Sequence, residues 1–266
     1  MIRKQASLEI TGKHAYLFGM KLGIITLLLL SGSLAFSQSA SEWTKKGDAL
    51  DAGGKSRDAL AAYQEAEKKS PNDAALLVKI AKQYGDQMPS LGKAAAKDAA
   101  ETSLAYSRRA VKVSPKSSDP HLAVAISLGK LTPYLGSRAK IEVSREIKSE
   151  AETALRLNPK SDYAHHLLGR WHQEMANIGS GTRLLAKVVY GGVPKGSYQK
   201  ALDHFAKART INGKRLIHQI EYGRTLAMMG REVDARKEIN KALAMRNREA
   251  DDAESKARAR DTLKNL

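Results

Sequence analysis

Residues 43–71 read WTKKGDALDAGGKSRDALAAYQEAEKKSP, and the spacing of seven side chains in this stretch decides the fold. Residues three and four positions apart share one face of a helix. The seven markers are six small or large residues at such spacings and a final proline: Trp43, Gly47, Leu50, Ala59, Tyr63, Ala66 and Pro71. A small residue lets two helices approach closely and a large one opposite fills the gap, so the stretch predicts a helical hairpin that ends at the proline.

The same spacing recurs four more times along the chain. The last copy keeps the twelve-residue step of the first, from Gly223 to Ala235. The middle copies keep the five-residue step from a small residue to a helix stop, at Ala110 with Pro115, Ala154 with Pro159, and Ala208 with Gly213. One hairpin cannot bury its apolar face alone. The sequence therefore predicts an all-α, tetratricopeptide-like solenoid of about five helical hairpins with a C-terminal capping helix.

The middle three copies are longer than the outer two at one place. The step from the last marker of the first helix to the first marker of the second is nine residues in copies one and five. The step is nineteen residues in copies two and three and twenty-nine in copy four. All the additions fall at the same turn, so one interpretation is a single ridge on the binding side. The other is that they lengthen helices and cover apolar surface, and both interpretations stay open.

The N-terminal residues 20–37 read MKLGIITLLLLSGSLAFS and have the pattern of an export signal. A lysine precedes a short apolar run, and Ala35 and Ser37 occupy the positions that a signal peptidase examines. Met20 is a possible true start. We expect residues 1–37 to be an extension plus signal peptide, 38–249 the repeat domain, and 250–266 a charged capping helix. The protein is then periplasmic or secreted; an uncleaved N-terminal membrane anchor is the alternative.

The charge of the chain favours an anionic partner. The net charge is +17, and residues 1–37 hold four basic side chains and one acid, so about +14 remains after them. An acidic protein or peptide segment is expected, and an anionic lipid or envelope surface is possible. Nucleic acid is disfavoured, because no basic stripe rich in aromatic residues is present. The absence of cysteine excludes thiol chemistry and cysteine-based zinc sites.

The sequence predicts no catalytic residue, no cofactor-binding residue and no metal ligand. The stretch from Ser137 to Lys140 matches S-x-x-K, but the S-D-N and K-T-G partners of that motif are missing, so Ser137 is interpreted as a helix N-cap. The strongest metal candidates are His165, His166 and His172. Because His165 and His172 are seven residues apart, they are too far apart for easy shared ligation, and we interpret them as packed or groove-lining.

The predicted binding residues lie in copies three and four. Arg170 could pair with an acid or reach a ligand carboxylate or phosphate, whereas Trp171 is interpreted mainly as packing. The inserted run from Leu184 to Tyr190 is unusually apolar, so it either covers the groove or lines a slot for a peptide or acyl chain. The candidate partner-binding residues are Arg138, Lys140, Arg170, Trp171, Arg183 and Lys187.

Copies three and four also resemble a known family. The run from Gly136 to Ile141, the segment from Ala154 to Pro159, and the LLGRW motif at 167–171 with the insert after it are similar to the regulator of microtubule dynamics family. The resemblance covers roughly residues 40–245. It implies an interaction or membrane-contact module, and eukaryotic members are associated with microtubules, mitochondria and the endoplasmic reticulum. The export signal sets this chain apart, so only the fold and the binding character are carried over.

The leading functional prediction is a non-enzymatic interaction or scaffold module of the cell envelope, with a basic surface for an acidic partner. The alternative is a lipid-binding or membrane-contact module that uses the apolar insert around residues 182–194.

Overall fold

The computed structural model describes residues 38–249 and 251–266. The predicted N-terminal extension and export signal lie outside these residues. Within the described part of the chain, the regular secondary structure consists of twelve α-helices and two short 3₁₀ turns, with no strand. The all-α prediction is therefore confirmed.

The helices follow one another with short connections. Their bounds are α1 Ala40–Ala52, α2 Ser56–Lys69, α3 Ala74–Gln87, α4 Lys93–Val113, α5 Ser118–Leu131, α6 Ser137–Leu157, α7 Asp162–Asn177, α8 Ser180–Tyr190, α9 Tyr198–Ile211, α10 Leu216–Met228, α11 Glu232–Ala244 and α12 Asp252–Lys264. The 3₁₀ turns are Met88–Ser90 and Thr132–Tyr134.

Five helix pairs form the array. The pairs are α1 with α2, α3 with α4, α5 with α6, α7 with α9, and α10 with α11, and the second helix of each packs on the first helix of the next. The first helices α3, α5, α7 and α10 also contact one another in turn, so they form the inner side of the array. Helix α12 packs on α10 and α11, where Ala259 is buried. This is the predicted solenoid of five hairpins with a C-terminal cap.

The helix crossings use the predicted pairing of small and large residues. A Cβ atom on Gly47 would lie 2.4 Å from Cε1 of Tyr63, and one on Gly169 would lie 2.7 Å from Cε1 of Phe205. Both aromatic rings are fully buried. Each glycine therefore lets the second helix of its hairpin bring an aromatic ring against the backbone of the first.

Two helix starts show how local sequence sets the boundaries. The Oγ of Ser39 accepts a hydrogen bond from the backbone N–H of Glu42 at 3.2 Å, and the Glu42 carboxylate accepts from the Ser39 N–H at 2.7 Å, which completes a capping box for α1. The interpretation of Ser137 as an N-cap is wrong by one residue. Gly136 occupies the N-cap of α6, with no side-chain capping bond, and Ser137 is the first helical residue.

The additions in the middle copies take two forms. In copies two and three they become a 3₁₀ turn and a second helix of 21 residues, compared with 14 residues in α2 and 13 in α11. Added side chains, including Met88, Leu135 and Val143, pack against the buried cluster around Leu128. In copy four the addition forms a separate helix, α8. Copies two and three thus follow the interpretation of lengthened helices that cover apolar surface.

None of the helices among the described residues combines the length and apolar character that crossing a membrane requires.

Candidate functional site

Charged side chains on the inner helices of the N-terminal copies pair with one another. Lys82 Nζ lies 2.7 Å from carboxylate oxygens of both Asp51 and Asp86, and Lys130 Nζ lies 3.7 Å from Asp86. Lys79 pairs with Asp48 in the same way. Each ion pair joins neighbouring hairpins or neighbouring turns of one helix. The charges of this inner face are therefore largely neutralised within the array.

Arg170 also pairs within the array. Its Nη1 lies 3.0 Å from Glu221 Oε2, and its Nη2 lies 2.9 Å from Glu174 Oε1. Arg224 Nη1 contacts both oxygens of Glu221, at 2.8 and 3.0 Å. Burial alone would raise the pKa of Glu221, but the two guanidinium groups lower it to about 2. Arg170 therefore forms an ion pair with Glu221 of hairpin five. Binding of a partner by Arg170 stays a prediction.

Trp171 lies under the second helix of hairpin three. Its side chain is 6% exposed, and its Nε1–H donates to the backbone carbonyl of Ser144 at 2.7 Å. The Nζ of Lys148 lies 5.2 Å from the ring centroid. This placement agrees with the interpretation of Trp171 as packing, and its direct contact with a partner is untested.

Arg183 holds the inserted segment in place. Its guanidinium donates to the carbonyls of Ile178 at 3.1 Å and Pro194 at 3.2 Å, and also to the carbonyl of Met175. These carbonyls belong to the segments before and after α8. The Arg183 side chain therefore ties the two ends of the insert to the end of α7.

The remaining three candidate residues carry free positive charge. Arg138, Lys140 and Lys187 are exposed, and within residues 38–249 and 251–266 none of them has a carboxylate at ion-pair distance. Arg138 lines a shallow, mostly apolar groove together with Val143 of α6 and Tyr190 at the end of α8. The structure thus brings the start of α6 and the end of α8 together at the edge of the enlarged turns.

Helix α8 presents apolar side chains to solvent. Leu184, Leu185, Val188 and Val189 are 67%, 65%, 79% and 55% exposed. Residues four apart share one face of a helix, so these four form one continuous apolar strip. Ala186 is the residue of α8 that is buried. The insert therefore lies on the surface, with its apolar strip uncovered.

Histidines cluster in hairpins four and five. The Nδ1 atoms of His165 and His204 are 3.1 Å apart, and those of His166 and His218 are 3.0 Å apart. Burial lowers the pKa of His166 to about 3 and that of His204 to about 4. Sequence reasoning named the histidines of α7 but missed His204 and His218. The spacing of the copies does not identify these two residues, because each meets a histidine of α7 across a helix crossing whose register the sequence does not give.

One set of three acidic groups also lies close together among the described residues. Ligand atoms of Glu249, Asp251 and Asp252 are within 4.8 Å of one another. Glu249 pairs with Arg215, and Asp252 Oδ2 accepts the backbone N–H groups of Arg248 and Glu249 at 2.7 and 2.9 Å. Two of the three carboxylates therefore fix the connection into α12.

Comparisons with solved structures identify the fold. The crystal structure of TTC0263, a thermophilic tetratricopeptide protein of Thermus thermophilus, has a TM-score of 0.63 and 17% sequence identity, and covers 84% of this chain and 98% of its own. PilF of Pseudomonas aeruginosa has a TM-score of 0.54 and 14% identity, and covers 85% of this chain and 87% of its own. At these identities the likeness concerns the fold alone. No curated protein matches the sequence.

The family comparison covers nearly all of the helical array. The family described as Regulator of microtubule dynamics protein 1-3 matches residues 43–266. The match begins at Trp43 of the first hairpin and extends through α12, so it includes every helix pair described above. The resemblance seen in the LLGRW motif and its insert is confirmed, and the chain belongs to the Regulator of microtubule dynamics protein 1-3 family.

Proposed function

We propose that this protein is a non-enzymatic interaction scaffold of the cell envelope that binds an acidic protein segment along the edge of its enlarged turns. Helical-hairpin arrays of this type present extended surfaces to protein partners. The observation that carries the proposal is the division of charge. Inner-face charges such as Lys82 and Arg170 have acidic neighbours, whereas Arg138, Lys140 and Lys187 at the edge have none at ion-pair distance among the described residues.

Free exposed lysines and arginines act on a partner mainly through long-range attraction. Such contacts raise the association rate and are weakened by salt, because the screening length falls from about 10 Å at 0.1 M to about 3 Å at 1 M ionic strength. An acidic segment bound at this edge should therefore dissociate as salt rises. A partner held by buried apolar contacts would not.

Capture of partners from an envelope extract at low and high salt tests the proposal. The variant Arg138→Glu/Lys140→Glu reverses two charges at the enlarged-turn edge. Its matched control is Lys116→Glu/Lys160→Glu, which makes the same change in net charge at exposed lysines on the opposite turns, before α5 and α7. Capture should be lost in the edge variant and kept in the control. Equal loss in both variants, or capture that salt does not affect, would contradict the proposal.

Envelope localisation rests on the predicted export signal at residues 20–37. The mature N-terminus of the protein purified from its native cells decides this part of the proposal. Mass spectrometry should find a chain that starts at Gln38. A chain with an intact Met1 would overturn the localisation.

A second candidate function is contact with an anionic membrane surface, and the exposed strip of α8 favours it. Leu184 and Val188 lie on that strip, and Lys187 adjoins them with a free charge suited to anionic lipid headgroups. Sedimentation with vesicles that contain an anionic phospholipid should recover the protein, and Leu184→Ser/Val188→Ser should abolish recovery. The control Val113→Ser/Val233→Ser changes exposed valines elsewhere and should retain it. Failure of the wild-type protein to sediment with the vesicles would exclude this function, and vesicle binding by the α8 variant would exclude the α8 strip as its basis.

A further inference from the structure

Hairpins three, four and five each have a polar side-chain contact at the same position between their first and second helices. In hairpin three, His121 Nδ1 lies 2.6 Å from Glu150 Oε2. In hairpin five, Gln219 Nε2 donates to Glu238 Oε2 at 2.6 Å. The two residues of the pair are 29 positions apart in hairpin three and 19 apart in hairpin five. In hairpin four the corresponding pair is His165 and His204, which are 39 apart. These separations differ by ten and twenty residues, as do the lengths of the additions in the three hairpins.

Hairpin four differs from its neighbours by placing a second imidazole at this contact. His165 corresponds to His121 and Gln219, whereas His204 replaces the carboxylate of Glu150 and Glu238. The Nδ1 atoms of His165 and His204 lie 3.1 Å apart. Two imidazole nitrogens at this distance either share one proton or can share one metal ion. Metal–nitrogen distances of about 2.0–2.1 Å in a tetrahedral site place two ligand nitrogens roughly 3.3 Å apart.

The surroundings of His165 and His204 favour their neutral form. The backbone carbonyl of Pro159 acts on His165 and favours its protonated form, at the position where the carbonyl of Pro115 contacts Nε2 of His121 at 2.9 Å in hairpin three. If Nε2 of His165 donates to the Pro159 carbonyl, Nδ1 of His165 is unprotonated and its lone pair faces His204. Burial and the charge of Lys207 lower the pKa of His165. Neutral imidazole is the form that coordinates metals.

A third imidazole lies beside the pair. His172 stands where hairpins three and five have leucine, at Leu128 and Leu226. Its ring stacks on that of His204 with centroids 5.8 Å apart and planes inclined by 18°. His172 is only 8% exposed, and its Nδ1 has no hydrogen-bond partner. A ligand at this position would satisfy an otherwise unpaired buried nitrogen.

We propose that His165, His204 and His172 form a binding site for one late first-row transition-metal ion of the Zn²⁺ class. His165 and His204 already lie at the spacing of two shared ligands. The proposal requires the His172 side chain to rotate so that its unpaired Nδ1 turns toward them. Three imidazoles leave one tetrahedral position open. The charges of Lys148, Lys200 and Lys207 act on these histidines and oppose a bound cation, so the site needs an anionic fourth ligand at the open position.

Zn²⁺ alone is the probe, titrated into the full chain without an affinity tag after removal of metals with a chelator. Isothermal titration calorimetry near pH 7.5 should show one Zn²⁺ per chain, and Mg²⁺, which prefers oxygen ligands, should give no binding. Absence of stoichiometric Zn²⁺ binding would overturn the proposal.

The variants copy side chains that the same protein uses at equivalent positions, so each should fold. His165→Gln/His204→Glu reproduces the pair of hairpin five and should weaken Zn²⁺ binding more than about 100-fold, because changes in outer-shell partners alone cost roughly 10–100-fold. His172→Leu should weaken it by at least about tenfold. His121→Gln is the control and should bind as wild type does. Circular dichroism checks that each variant is folded. If the double variant binds Zn²⁺ as tightly as wild type does, the proposed site is wrong. If His172→Leu does so, His172 is not the third ligand.

Discussion

The guanidinium of Arg170 lies 3.0 Å from the carboxylate of Glu221, and this contact joins the first helices of hairpins four and five. Arg224 contacts the same carboxylate from the next turn of α10. Glu221 is fully buried, so its charge depends on these two arginines for compensation. The stability of the C-terminal half of the array should therefore depend on one carboxylate.

Glu221→Gln tests this dependence. The substitution keeps the shape of the side chain but removes the negative charge that two guanidinium groups share. The free energy of unfolding should fall by about 3 kcal/mol, because one partner of a buried pair has been removed. Urea unfolding at pH 7 measures the change. The control is Glu174→Gln, whose carboxylate is 52% exposed and also contacts Arg170, and it should cost less than about 0.5 kcal/mol. Similar losses in both variants would contradict the buried role of Glu221.

The decrease in the free energy of unfolding at acid pH should also depend on Glu221. Burial raises and the neighbouring arginines lower its pKa, with a net value of about 2 in the folded protein, against 4.5 as its ordinary value. A depressed folded pKa contributes stability above the unfolded pKa, and that contribution is lost as pH falls toward the folded value. The free energy of unfolding should therefore decrease between pH 4.5 and 2. Urea titrations across this window should show a shallower decrease in Glu221→Gln than in wild type, and equal slopes would argue against the shift.

The two tryptophans should differ in fluorescence. In Trp43→Phe the remaining Trp171 is buried against Ser144, so its emission should be blue-shifted and weakly quenched by acrylamide. In Trp171→Phe the remaining Trp43 is only partly buried, so it should emit further to the red and be quenched more strongly. Trp171→Phe also removes the hydrogen bond from the indole to the Ser144 carbonyl, which should cost about 0.5–1.5 kcal/mol. Strong quenching of Trp171 would contradict its burial.

Two helix glycines should respond to alanine with opposite signs. A Cβ at Gly47 would lie 2.4 to 2.9 Å from three ring atoms of Tyr63, so Gly47→Ala should destabilise the protein by about 1–3 kcal/mol. Gly129 lies within α5, and a Cβ added there would have no neighbouring atom within 4 Å. Gly129→Ala should therefore be stabilising by about 0.5–1 kcal/mol, from helix propensity alone. Thermal unfolding of both variants is a direct comparison, and loss of stability in both would show that the Tyr63 contact is not the cause.

The sequence predicted the parts of the fold that repeat. Gly47 and Tyr63, or Gly169 and Phe205, stand at fixed steps because each helix crossing needs one small and one large residue. The additions have no such rule, so their division between the lengthened α4 and α6 and the separate α8 was not predictable from spacing.

The candidate site was predictable only in part, for a related reason. Periodicity tells which face of α7 is buried, but it does not identify the side chain that meets that face from another hairpin. Arg170 was singled out, whereas its partner Glu221 lies 51 residues further along the chain. His165 was noted without His204 because their contact depends on the register between two helices that the insert separates.

Salt-dependent capture by the edge variant tests the proposed function most directly. Wild type and Lys116→Glu/Lys160→Glu should recover the same partner from envelope extract at low salt and lose it at high salt. Arg138→Glu/Lys140→Glu should fail to recover that partner at either salt concentration. Recovery of the partner by the edge variant at the wild-type level would contradict the assignment of the enlarged-turn edge as the binding surface.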